Sequence, residues 1–192
     1  MSPLDPALSV SRRIALAGLG AGGLALATGG AASAKQPAGL ADHPLTGVWL
    51  AMANPASPED PQFPAPSYYG ADGTVLLSFP VGQVGPNGAQ LSSILMGTWE
   101  AFDEQTGHFT AVQLLSELDG TFAGSVTIDG FPRVSEDGAS FIDDGSMAFV
   151  TIRDPAGNVV QTAPAVGSNP VTAIRMAPGA AGIPEPGATP TG

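Results

Sequence analysis

The sequence predicts an all-β fold, an antiparallel β-barrel of about eight strands, and three observations carry that reading. Five Asp-Gly pairs punctuate the chain at 72–73, 119–120, 129–130, 137–138 and 144–145, the last four spaced by 10, 8 and 7 residues. Asp-Gly supplies the positive φ that tight hairpin turns demand. The stretches between these pairs are rich in sheet-forming residues, as in Val126-Thr127-Ile128 and Phe149-Val150-Thr151-Ile152. Nowhere between 45 and 176 do apolar residues recur at helical spacing.

Taken in order, strands are expected at 45–52, 73–79, 93–102, 107–117, 121–128, 139–142, 146–153, 158–162 and 170–176. Ala156-Gly157-Asn158 adds a sixth turn signal. Residues 53–67, with five prolines, read as a long irregular loop, since proline cannot donate to a sheet ladder. Residues 177–192 form a Gly/Pro-rich tail expected to be disordered. Short antiparallel strands without helices leave two architectures, a closed barrel or a two-layer sandwich. Sequential hairpins favour the barrel, which removes exposed edges by closing on itself.

The first 34 residues read as an export signal. Arg12 and Arg13 precede a mildly apolar run from Ile14 to Ala27, and Ala32-Ser33-Ala34 offers a small-residue cleavage site after Ala34. The arginine pair resembles the bacterial twin-arginine export signal, with Ala15 and Ala17 where Phe and Lys are usual. Fourteen residues at about 1.5 Å each fall short of a ~30 Å hydrocarbon core, which argues against a membrane anchor. The expected localisation is therefore beyond the cytoplasmic membrane, in the periplasm, cell envelope or medium. The organisation read from this is a signal at 1–34, a linker at 35–44, the β-domain at 45–176 and the tail.

Composition narrows the function classes. Six basic against 17 acidic residues, a formal net charge of −11, argue against a nucleic-acid partner, because phosphate binding needs clustered Lys and Arg. Cysteine is absent, which excludes disulfides, thiol chemistry and thiolate metal sites. Two histidines, His43 in the expected linker and His108 near a strand start, make no metal centre, and no cofactor is implied. No Gly-x-Ser-x-Gly or P-loop occurs. Carboxylate pairs at Glu59-Asp60, Asp103-Glu104, Glu136-Asp137 and Asp143-Asp144 read as solvated turn chemistry.

Gly47-Val48-Trp49 on the first strand and Arg175 on the last resemble the signature of the lipocalin and calycin barrels. That resemblance implies a cation–π contact of ~0.5–2 kcal/mol between Arg175 and Trp49 at the closed end of the barrel. A second Gly-x-Trp recurs fifty residues on, at Gly97-Thr98-Trp99. The allene oxide cyclase-like and dirigent-like barrels are the alternative resemblance.

The functional expectation is non-catalytic binding of a small, mostly apolar ligand in the barrel interior. Trp49, Tyr68, Trp99, Phe109 and Phe149 are the candidate liners, with His108 or Arg175 as polar anchor. Plugging an end of the barrel or filling its core is the favoured account of either tryptophan, with lining a ligand cavity the alternative. His108 lies at the rim of the cavity if the row His108, Thr110, Val112, Leu114 points inward. Two alternatives stand beside this expectation. One is an isomerase or cyclase of the allene oxide cyclase type, which calls for His108 clustered inward with Glu100 or Glu117. The other is a structural or surface-interaction module whose barrel is filled by side chains.

Overall fold

The computed structural model describes residues 39–54, 61–85, 88–165 and 169–179. The signal residues Arg12, Arg13 and Ala34, the Glu59-Asp60 pair and the tail beyond 179 lie outside the described residues. The strands are β1 (Gly47–Ala53), β2 (Phe63–Tyr69), β3 (Thr74–Leu77), β4 (Gly82–Gly85), β5 (Gly88–Ser92), β6 (Leu95–Ala101) and β7 (Gly107–Glu117). They continue with β8 (Phe122–Gly130), β9 (Arg133–Val134), β10 (Ser140–Asp143), β11 (Phe149–Arg153), β12 (Val159–Pro164) and β13 (Val171–Arg175). Among the described residues the only helix is a single 3-10 turn, Leu40–Asp42.

The protein is all-β, a curled antiparallel sheet forming a half-barrel. Eleven strands follow one path, β12-β11-β8-β7-β6-β3-β2-β1-β13-β10-β9, and the β4–β5 hairpin attaches to β7 through β5. First and last strands pair directly, with Trp49 opposite Arg175. The chain leaves β8 to build β9 and β10 beside β13, then returns to lay β11 against β8. An isolated bridge between Thr106 and Arg133 brings β9 against the residues that open β7. Strand β12 pairs only with β11 among the described residues, so the curl stays open there.

Each of the nine expected stretches contains a strand; β2, β4, β5 and β9 are additional. The most instructive is β2, which occupies the middle of the sheet although it contains Pro64 and Pro66. In a strand the N–H and C=O of one residue point to the same neighbour. The Pro66 carbonyl accepts from Ser78 N–H, on the β3 side and just past the end of β3. Pro66 and Pro64 share that direction. Their missing N–H groups therefore face a place where the ladder has already run out, and pairing with β1 is intact through Ala65 and Ser67.

Five of the six turn signals sit in turns, with glycine φ between +70° and +87°. In each, the Asp carboxylate accepts a backbone N–H two residues on, as from Asp72 to Thr74 and Asp119 to Thr121 at 2.9 Å. Asp129-Gly130 is the exception and runs through the end of β8. A Cβ at residue 130 would lie 2.4 Å from the Phe109 ring, so this glycine serves close packing instead of a turn.

The core gathers at one end of the half-barrel. Leu40, Leu45, Trp49, Tyr69, Val75, Leu95 and Trp99 are all buried there. Residues 39–44, expected as part of a linker, pack into this floor. His43 is buried as well, and Leu45 N–H donates to its Nδ1 at 3.1 Å, so its other ring nitrogen donates to the Asp103 carbonyl at 3.0 Å. Both indole N–H groups are satisfied by backbone carbonyls at 2.8 Å, Trp49 by Leu45 and Trp99 by Gly70.

Candidate functional site

Above this floor the inner face of the sheet encloses a cavity of about 300 Å³. Its room comes from small residues where a core would carry large ones. Ala51 and Ala65 sit opposite one another on β1 and β2, Ser67 follows, and Ala148 and Ala163 flank the far wall. Leu77, Phe109, Ile128 and Val150 supply the apolar surface. Tyr69, Phe109 and Phe141 close the bottom, the tyrosine ring meeting the two phenylalanines edge to face at centroid distances of 6.0 and 6.3 Å. Mostly apolar walls with a few convergent polar groups are the usual make-up of a small-molecule pocket.

Two of those polar groups are distinctive. The Asp143 carboxyl, two residues beyond Phe141 and on the same face of β10, accepts N–H bonds from Phe131 at 2.7 Å and Gly145 at 3.0 Å. Burial pushes this carboxyl above the usual range for Asp, against the pull of the two backbone donors. Tyr69 is 1% exposed, and its hydroxyl has no hydrogen-bond partner among the described residues. Burial first, and the neighbouring Asp143 charge second, push its phenol up, so it stays a protonated donor.

Of the seven candidate ligand contacts, Phe109 alone lines this cavity. Trp49 and Trp99 belong to the floor beneath it. Arg175 does meet Trp49, with its guanidinium carbon 4.2 Å from the ring centroid. Its nitrogens donate to the carbonyls of Gly138 at 2.7 Å, Thr46 at 3.0 Å and Pro44. Gly47 makes this possible, because a Cβ there would stand 2.8 Å from an Arg175 nitrogen and its φ is +137°. Arg175 is thus occupied as a clamp at the sealed end, away from the cavity.

Tyr68, His108 and Phe149 point outward, because the phase of their strands is set by their neighbours. Tyr69, Phe109 and Val150 take the inner positions, and strict alternation sends the adjacent residue out. His108 stacks on Phe131 at 4.5 Å on the outer face, with Glu100 at 3.4 Å and Asp129 at 3.8 Å. The pairing of His108 with Glu100 therefore exists, but on the side facing away from the cavity. Glu117 accepts instead from Gln90 at 3.0 Å. Among the described residues no three His, Asp or Glu side chains converge as metal ligands.

Tyr69 and Asp143 are the site residues that sequence reasoning missed. Asp143 was legible from alternation, since Phe141 as an inward residue places Asp143 inward too. Tyr69 was hidden with the whole of β2. No family model, curated protein or solved structure matches the chain.

Proposed function

We propose that this protein is an exported, non-catalytic binder of a small, mostly apolar ligand, held inside a half-barrel similar to the lipocalin and calycin barrels. The observation that carries the reading is the cavity itself, about 300 Å³ of space above a sealed aromatic floor, lined by small and apolar residues. A barrel built only for structure fills such space with side chains, and here Ala51, Ala65 and Ala163 leave it free. The Trp49–Arg175 contact on paired first and last strands supports the family likeness. In this reading Arg12-Arg13 hands the precursor to the twin-arginine export machinery, and cleavage after Ala34 releases the mature chain. The surplus of acidic residues suits a partner other than nucleic acid or an anionic membrane surface.

Titration with the neutral fluorescent probe N-phenyl-1-naphthylamine tests the reading. Saturable one-to-one binding is expected, and Ala163→Phe, which places a ring in the cavity from the one half-buried position of the exposed edge strand β12, should weaken it about tenfold or more, roughly 1.4 kcal/mol. Absence of binding, or equal binding by a folded Ala163→Phe, would count against a cavity ligand.

A further inference from the structure

The charge on the cavity wall has one sign. Its lining residues include three aspartates and no Lys, Arg or His. Two of the three are committed elsewhere: Asp129 accepts from Thr110 and approaches His108 on the outer face, and Asp144 is exposed in a turn with Ser146. Asp143 remains on the inner face. Its two oxygens each accept one backbone N–H, which uses about half of the roughly four acceptor positions a carboxylate offers. No cation pairs with it among the described residues. Tyr69 lines the same cavity, is buried, lies near enough for the Asp143 charge to act on its phenol, and its hydroxyl has no hydrogen-bond partner among the described residues.

Unused acceptors on a half-enclosed carboxylate are costly unless a donor meets them, and a cation meets them best. Resting on the reading of the cavity as a ligand site, we infer that its occupant is a small amphiphilic amine. The ammonium group sits between Asp143 and Tyr69, and the apolar body lies along Ala51, Ala65, Phe109 and Val150. An ammonium has three donors and no acceptor, which complements an acceptor-only carboxylate and a phenol oxygen. A fatty carboxylate or a phosphate would instead face Asp143 with like charge. Size agrees: about 300 Å³ at about 30 Å³ per water-sized group takes the nine non-hydrogen atoms of n-octylamine, and the open edge of the half-barrel lets the larger N-phenyl-1-naphthylamine extend out of the cavity.

The test compares n-octylamine, octan-1-ol and octanoate, three chains of equal apolar length, as competitors of N-phenyl-1-naphthylamine at neutral pH. The amine should bind at least about tenfold more tightly than octanoate, with the alcohol between them. Asp143→Asn should bring amine and alcohol to within about twofold of each other while octan-1-ol keeps its affinity. Raising the salt to about 0.5 M on the unaltered chain gives a check that needs no variant. A pair inside the cavity keeps its preference there, whereas attraction to the acidic surface is screened away. Octanoate binding as well as the amine would overturn the inference. So would an amine preference that survives Asp143→Asn in a folded protein, or one that disappears in salt. In each of those cases octan-1-ol displacement leaves the cavity reading standing. Failure of the probe and of all three ligands to bind overturns both.

Discussion

Among the cations of the described residues, Arg175 should cost the most stability when replaced, because it ties three separate segments together. Its donors reach Pro44 and Thr46 before β1 and Gly138 in the β9–β10 turn, while its own backbone pairs with β1 and its guanidinium covers Trp49. Hydrogen bonds from a charged donor contribute about 1.5 kcal/mol each at the low end, and the cation–π contact about 1 kcal/mol. Taken at face value these reach about 5.5 kcal/mol. Truncation lets water reach carbonyls that are only partly buried, so about 3 kcal/mol is the expected loss for Arg175→Ala. For a chain of this size that corresponds to a fall in Tm of roughly 6–12 °C. Arg175→Lys keeps the charge but cannot reach three carbonyls in a fixed fork, and should lose about half as much. Urea unfolding followed by tryptophan fluorescence reads both variants, since Trp49 lies under the guanidinium. A loss below about 0.5 kcal/mol for Arg175→Ala, or a lysine variant equal to the parent, would refute the clamp.

Two further outcomes follow from the same structure. Thr172 is buried, and its Oγ1 is fully enclosed with no hydrogen-bond partner among the described residues, so Thr172→Val should raise stability by about 1 kcal/mol; a lower urea midpoint would show that the hydroxyl is bonded after all. Acid should destabilise the fold through its turns. Hydrogen bonds lower the carboxyls of Asp72, Asp103, Asp119, Asp137, Asp144 and Asp154, so their contribution is present above the unfolded value, about pH 4, and is lost as pH falls through the lower folded values. Asp143 has the opposite sign: its raised carboxyl favours folding below the unfolded value, and that advantage disappears as pH rises through its folded value. Urea midpoints from about pH 2 to pH 7 should therefore rise steeply near pH 3–4 and then flatten or dip, and Asp143→Asn should remove the dip.

The class of fold was legible because turn chemistry is local. An Asp that accepts an N–H two residues on, followed by a glycine with positive φ, needs no tertiary context. Where context decides, sequence reading failed in both directions. Pro64 and Pro66 forbid a strand only if their N–H groups were needed, and the short β3 makes them unnecessary. Asp129-Gly130 has the turn signature, yet the Phe109 ring claims the space a Cβ would fill.

The direction of the side chains was harder still. Apolar residues occupy the outer face as well: Val48, Tyr68, Leu76, Met96 and Val112 stand side by side across β1, β2, β3, β6 and β7. The inner face meanwhile carries Ala51, Ala65, Ser67 and Gln113. Hydrophobicity therefore does not tell inside from outside in β7, and the row containing His108 looks as suitable for the core as the row containing Phe109. The same inversion created the site, since a face made of small residues is what leaves a cavity.

Mass spectrometry of the chain purified from an exporting host, under native and then denaturing conditions, tests the central claim most directly. A cavity ligand predicts a reproducible additional mass in the native spectrum that disappears on denaturation. That mass should be small enough for about 300 Å³ and should be reduced in Ala163→Phe. The bare chain mass in both spectra, together with failure of N-phenyl-1-naphthylamine to bind, would contradict the account and leave a half-barrel whose cavity has no occupant.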